Sequence, residues 1–344
     1  MKKNLNSRGV ANKRCVADNA NNRGVALILV ILIISIIVAM TIALNRSTRY
    51  EIYDAANLSD AIKLIYIAKS GFFIGEALLL ADKTYYDALT DEWADTELIS
   101  SLSDRLFNSA DGGGGKTYQL QIEDEAGKIN VNRLIVGNGY NPDVKDLLTR
   151  LLSLPEFRLS PKQVGEIVDS IKDWIDKDSD VTGAGAENDY YSRLEKAYPC
   201  KNGPLDCIEE LLMIKGITPE LFYGVRGLPG LQNLLTLYGD GKININTAPK
   251  MILRALAQDI TEEAANRMEA YRMSKDHNLS DPAWCKSVVE TSGVVIEARL
   301  LTTKSDFFRI TSTGRFGNMT QTVTGVIKRS PDRITSKLLS WKVL

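Results

Sequence analysis

Histidine is almost missing from this 344-residue chain, which has one, His277. It stands in a polar stretch between Lys275-Asp276 and Asn278, and no matching nucleophile elbow occurs elsewhere. A histidine-based triad is therefore excluded, and no other enzyme site stands out. Cysteine is scarce as well, with four residues at positions 15, 200, 207 and 285. Surplus positive charge is absent from the body. Residues 1–24 carry Lys2, Lys3, Arg8, Lys13, Arg14 and Arg23 against Asp18, a net +5, which leaves −6 on the rest of a chain whose total is −1. A mildly acidic body lacks the clustered cations that grip a polyphosphate backbone. One phosphate-loop look-alike, Ala110-Asp-Gly-Gly-Gly-Gly-Lys116-Thr117, fails on context. Such a loop follows a strand and opens a helix, whereas here a helical pattern precedes it and the strand-like Tyr118-Gln-Leu-Gln-Ile122 follows.

What the chain does have is one long apolar run. Residues 25–44 read VALILVILIISIIVAMTIAL, without charge and with only Ser35 and Thr41 polar. A helix of that length covers ~30 Å, the thickness of a bilayer core. The basic residues before it keep residues 1–24 cytoplasmic and send the body across the membrane. A cleaved secretory signal has a shorter apolar region, ~7–15 residues, and then a small-x-small site. Here Asn45-Arg46-Ser47-Thr48-Arg49 follows, so an uncleaved span is expected. Beyond it Ala61, Ile65, Ala68 and Phe72 recur at helical spacing, with Asp60, Lys63 and Lys69 on other faces. That amphipathic stripe predicts a helix packed on a sheet, although Gly71 and Gly75 weaken its last turns. Otherwise an apolar content of 44% and a charged content of 25% are ordinary for globular chains, which rules out wholesale disorder and multiple spans.

Strand patterns bracket a helical middle. Lys116–Ile122 alternates with period two, and Phe307–Thr313, Gly314–Asn318 and Thr320–Lys328 read as a hairpin rich in Thr and Val. Between them Gly127-Lys-Ile-Asn-Val-Asn132 recurs as Gly241-Lys-Ile-Asn-Ile-Asn246, each copy leading into an apolar helix, a polar break and a second helix. The segment Glu209–Glu220 reads as a helix, a glycine turn at Gly216 and a second helix capped by Thr218 with Pro219 at its first position. Such helix-hairpin-helix units often bind DNA, but Lys215 is surrounded by Glu209, Glu210 and Glu220, so packing is the better reading.

The sharpest local chemistry lies in Asp173–Asp189. Asp176, Asp178 and Asp180 alternate, Glu187 is twelfth from Asp176, and Asp189 follows. That is the oxygen-ligand spacing of an EF-hand loop, with Val181 where the turn glycine belongs and glycines at 183 and 185 instead. The backbone path must therefore differ. Crowded carboxylates repel unless a cation screens them, and calcium suits an all-oxygen set where zinc would want nitrogen or sulfur. Downstream, Cys200 and Cys207 enclose a turn-rich Lys-Asn-Gly-Pro-Leu-Asp that can close a disulfide in an oxidising compartment; Cys285 leaves other pairings open, and free buried thiols are the alternative.

The junction Arg23-Gly24-Val25-Ala26-Leu27 resembles the type III signal of prepilins and pseudopilins. That resemblance implies cleavage by a prepilin peptidase between Gly24 and Val25. Most such proteins have a glutamate at mature position five, here Leu29. Together with GKINVN, DWIDKDSDVTGAGAENDYY, NGPLDCIEELLMIKGITPELF and KININTAP in this order, the chain resembles the protein K family of type II secretion minor pseudopilins. The resemblance implies an α+β fold, with a pilin-like long N-terminal helix packed on an antiparallel sheet and a large inserted all-α domain of helix-hairpin-helix/SAM-like type. Its expected divisions are a leader over 1–24, a transmembrane helix over 25–44, a pilin-like domain over 45–132 and 286–344, and the insertion over 133–285. It also implies calcium at the acidic loop, a single-pass protein of the bacterial inner membrane with a periplasmic body, and a non-enzymatic role at the tip of a pseudopilus. The partners implied are the I, J and H type minor pseudopilins, the major pseudopilin and the prepilin peptidase, with no nucleic acid. A membrane-tethered DNA-binding protein of a competence or type IV pilus system is the alternative, opposed by the acidic body.

Overall fold

The computed structural model describes residues 17–107, 116–225, 227–288 and 296–344. Cys15, most of the basic leader and all but the end of the phosphate-loop look-alike lie outside the described residues. The chain divides into two units, residues 1–62 and 63–344. In the first, the described residues belong to a single helix, α1 (Ala17–Ala81), which runs on into the second unit. From Gly24 this helix is long and apolar enough to cross a membrane, with mean hydropathy 3.3 over its most apolar window and none of that window buried. Its two polar side chains in the apolar run turn their hydroxyls onto the helix's own carbonyls, Ser35 Oγ to Leu32 O at 2.8 Å and Thr41 Oγ1 to Ile37 O at 2.7 Å. Neither hydroxyl is left to be satisfied by lipid.

In the second unit the rest of α1 lies on an antiparallel sheet. The buried face is Leu64, Ala68, Gly71, Phe72, Gly75 and Leu79. The expected stripe is thus displaced toward Leu64, with Ala61 and Ile65 only half-buried. The two glycines are what brings helix and sheet together. A Cβ on Gly71 would press into Ser312 Oγ and come within 3.0 Å of the Tyr118 ring, and one on Gly75 would meet Ile310 at 3.0 Å and Leu120 at 3.2 Å. The helix therefore tolerates their lower intrinsic propensity in exchange for close approach.

After α2 (Thr96–Phe107) the chain enters β1 (Lys116–Asp124) and then leaves the sheet. The helical insertion holds β2 (Ile129–Asn130), α3 (Pro142–Leu152), α4 (Pro161–Ile175) and β3 (Leu235–Thr236), followed by β4 (Ile243–Asn244), α5 (Lys250–Ala255), α6 (Glu262–Met273) and β5 (Leu301–Thr302). The chain returns through β6 (Phe307–Phe316), β7 (Met319–Arg329) and β8 (Ser336–Val343), giving the sheet order β1-β6-β7-β8. Since β1 and β6 are hydrogen-bonded neighbours, residues 125–306 form an excursion between two adjacent strands. The fold is α+β and pilin-like with a helical insertion.

The repeated GKIN segments do equivalent work. β2 pairs in parallel with β3, and β4 with β5, each matching an Ile-Asn to a Leu-Thr. Asn130 and Asn244 each accept the backbone N–H two residues on, at 3.0 and 3.1 Å. Asn132 then ties down Leu205, and Asn246 ties down Leu279 and the Trp284 indole. The following hairpins are capped alike, by Ser160 at α4 and Thr261 at α6. Arg150 of α3 joins the copies by donating to Ala255 O at the end of α5, at 2.6 Å.

Buried charge fastens the insertion to the sheet. Glu125, fully buried, receives Arg309 of β6 at 2.8 Å, Lys128 at 3.0 Å and the Thr236 hydroxyl of β3. Burial alone would raise its pKa, but Lys128 and Arg309 outweigh it and pull the carboxyl down to about 2. Nearby, Arg329 of β7 meets Asp87 at 2.5 Å, and Asp124 accepts the Asn244 amide and the Thr247 hydroxyl, both at 2.7 Å.

Candidate functional site

Helix α4 carries Asp169 and Asp173, four apart on the side where the acidic loop folds back, and Asp176 caps its C-terminal end with extended backbone. Asp169 Oδ2 accepts Ala184 N at 3.0 Å, and Asp173 accepts Thr182 N at 3.1 and 3.2 Å. The loop can lie this close because Gly183 and Gly185 back onto those two carboxylates, where any Cβ would collide. The left-handed turn sits at Gly183, with φ of +53°, and not at the sixth loop position, Val181, which is exposed. The path is therefore unlike an EF-hand loop.

Of the five expected ligands the structure brings three together. Asp176, Asp178 and Glu187 each place a carboxylate oxygen within 4.8 Å of the others. Asp180 points its backbone N–H at Asp178 Oδ1 and is exposed. Asp189 is exposed beside Arg193 at 3.8 Å. The three grouped residues fit a hard cation on their own evidence. Asp176 is fully buried and Glu187 is 3% exposed, yet Asp176 Oδ1 and both Glu187 carboxylate oxygens have no hydrogen-bond partner. Buried polar atoms are seldom left so. Burial, with Asp173 and Asp176 adding repulsion, pushes Glu187 up to about 7, and burial also raises Asp176. The available atoms are all oxygens, the donor set that calcium prefers.

Three participants were not singled out from sequence. Lys172 lies four residues before Asp176, a spacing that pairs side chains on a helix and was legible as such. Asn202 donates its side-chain amide to Asp178 O, and its Oδ1 is buried and unpartnered. Lys215 donates to Ala184 O at 3.0 Å and Gly185 O at 3.3 Å and pairs with Glu166 at 2.9 Å. No local sequence signal links these last two to the loop.

Lys215 also belongs to the hairpin. Gly216 turns with φ of +87° and Thr218 caps Leu221 N, as expected, but Ile208–Met213 is a 3₁₀ turn and not an α-helix. Lys215, beside the turn, is committed to the loop and to Glu166, and Lys201 pairs with Asp206 and Glu210. Cys200 and Cys207 are separate thiols, so the expected bridge is not formed in this structure. Cys200 is turned into the core, its Sγ 3.6 Å from Asp173 O. His277 stacks on Tyr271, with centroids 3.7 Å apart, and is a packing residue.

At the N-terminal junction, Gly24 and Val25 lie on α1, and Val25 is exposed. A Cβ on Gly24 would meet nothing within 4 Å, so the fold itself does not call for glycine there.

Residues 127–227 match the family model for type II secretion system protein K. The chain is 27% identical over 256 residues to type II secretion system protein K of Pseudomonas aeruginosa, covering 72% of each chain. Protein K of Klebsiella pneumoniae is 24% identical over 211 residues and that of Aeromonas hydrophila 26% over 214; this chain spans 61% and 60% of their lengths. Among solved structures, a chain of the GspK-GspI-GspJ complex from enterotoxigenic Escherichia coli superposes with a TM-score of 0.59 at 17% identity, covering 84% of this chain and 98% of that one.

Proposed function

We infer that this chain is a minor pseudopilin of the type II secretion system protein K family, anchored by one membrane-spanning helix. The observation that carries the reading is the conjunction of parts. A protein K match covers the first GKIN copy and the acidic loop, and that segment interrupts a pilin-like sheet behind an apolar helix. Its role is assembly, and no step of it calls for a catalytic group.

The proposed course is mechanical. A prepilin peptidase removes residues 1–24, and Val25 becomes the mature N-terminus. Gly24 supports this, because a helical glycine with open space around it costs about 1 kcal/mol relative to alanine and gains nothing in packing. The apolar helix then moves from the inner membrane into a helical bundle while the body, in the periplasm, contacts the I, J and H type minor pseudopilins and the major pseudopilin. Leu29 stands where a carboxylate would engage the amino terminus of a neighbour, which suits a subunit at the tip with nothing above it. The insertion between β1 and β6 supplies the bulk to limit further addition.

Calcium is proposed at Asp176, Asp178 and Glu187, with Asn202 Oδ1 as a further oxygen. The ion would supply countercharge, letting three buried carboxylates stay ionised together. Asp169, Asp173 and Lys215 hold the loop backbone in place for it.

Expression of the full chain with and without a prepilin peptidase tests the reading. Intact mass of the processed protein should correspond to a chain starting at Val25. Retention of residues 1–24 under conditions that process another pseudopilin would overturn it.

A further inference from the structure

We propose that Lys172 is a tethered counter-cation that sets the ion affinity of the acidic loop by occupying it when no metal is bound. The inference rests on the calcium reading above and adds a competitor built into the chain. Lys172 Nζ donates to Asp176 Oδ2 at 2.5 Å and to Thr182 Oγ1 at 2.7 Å, joining the end of α4 to the loop that follows it. Its side chain is 8% exposed and that of Asp176 not at all, so water and salt screen the pair weakly. The Tyr140 ring lies 5.8 Å from Nζ and is fixed by its hydroxyl, which donates to Asp169 Oδ1 at 2.5 Å. The ammonium thus has a built seat of a carboxylate and a hydroxyl, while the Tyr140 ring chiefly receives Lys145 Nζ, 3.9 Å from its centroid.

This seat borders the proposed ion site. Asp176 belongs to the grouped carboxylates and spends one oxygen on Lys172, while its other oxygen and both of Glu187 are unpartnered. A divalent ion sharing that carboxylate would meet a fixed positive charge in a poorly screened setting. It must either displace Nζ or bind against its repulsion. Lys215, which also reaches the loop, is different, because its polar contacts are with Ala184 O, Gly185 O and Glu166 and with none of the three carboxylates, and Lys177, within the loop, is exposed. Ligand charge count is one of the ways calcium sites are tuned over decades of affinity. Removing the ammonium restores one full negative charge to this site.

The test is calorimetric titration of calcium into the full chain in detergent micelles, stripped of metal with chelator, for wild type, Lys172→Met and Thr182→Val. Lys172→Met should bind calcium about tenfold or more tightly than wild type. Thr182→Val, which removes one contact of the ammonium and no carboxylate, should tighten binding by less. Without metal Lys172→Met should melt below wild type, and calcium should close that gap. If wild type binds calcium and Lys172→Met binds equally or more weakly, the lysine supports the site and the inference fails. If Lys172→Met does not fold, an unchanged or weaker affinity in Thr182→Val overturns it instead. If no variant binds calcium, the calcium reading beneath it falls.

Discussion

Glu125→Gln is the substitution that most directly probes how the helical insertion is fastened to the sheet. The carboxylate is fully buried between Arg309 of β6, Lys128 and the Thr236 hydroxyl. Its pKa falls from 4.5 to about 2 because the two cations outweigh burial. At about 1.4 kcal/mol per unit, that difference corresponds to about 3 kcal/mol of stability at neutral pH. A second route gives the same scale, since breaking a buried ion pair by removing one partner costs ~3–5 kcal/mol. Lys128 keeps Glu123 at 2.8 Å, which moves the expected loss toward the lower end. Glutamine preserves shape and an acceptor oxygen, so the loss reports charge and not a cavity. The measurement is urea unfolding of the full chain in micelles, followed by tryptophan fluorescence, for wild type and variant. A carboxyl whose folded pKa is depressed contributes fully above its unfolded pKa of 4.5 and loses that contribution as pH falls toward about 2. The gap between wild type and Glu125→Gln should therefore be about 3 kcal/mol near pH 7 and close across that acid window. A loss below about 1 kcal/mol, or a gap that does not narrow in acid, refutes the assignment.

Two further outcomes are expected. Calcium at a hundredfold excess over its dissociation constant stabilises a one-site protein by about 2.7 kcal/mol, so wild type should melt about 5–10 °C higher with the ion. An Asp176→Ala/Asp178→Ala double variant should show no such rise, and an equal rise in both would place the ion elsewhere. Gly71→Val forces a branched side chain into Ser312 and the Tyr118 ring and should cost about 1–3 kcal/mol of unfolding free energy. An unchanged unfolding midpoint would contradict the close helix–sheet contact.

Much of this molecule was legible in its sequence because its strongest signals are local. The apolar run, the period-two alternation of β1 and the Thr-Val hairpin of β6 and β7 each declare themselves within a dozen residues. The GKIN repeat announced a duplicated unit, but not that each copy pairs with a Leu-Thr dipeptide 106 and 58 residues later, at Leu235 and Leu301. Two-residue parallel pairs have no pattern of their own. Gly71 and Gly75 looked like weak points of a helix, since propensity is local, whereas their value lies in what Ser312 and Ile310 bring from another part of the chain. At the acidic loop, carboxylate spacing names Asp176, Asp178, Asp180, Glu187 and Asp189; the fold groups the acid oxygens of Asp176, Asp178 and Glu187 and leaves Asp180 and Asp189 exposed. Period alone cannot tell which side chains turn inward once the glycine is at 183 and not 181. Asn202 and Lys215 reach the loop only through the tertiary fold.

The central claim is that this chain works by assembling with other minor pseudopilins, and association is its most direct test. The full chain should be co-expressed with the I and J type minor pseudopilins of the same cell, solubilised in detergent and examined by size exclusion with light scattering. The account predicts one stable species containing all three chains. Separate elution of this chain from both partners, with its fold intact by circular dichroism, would contradict it.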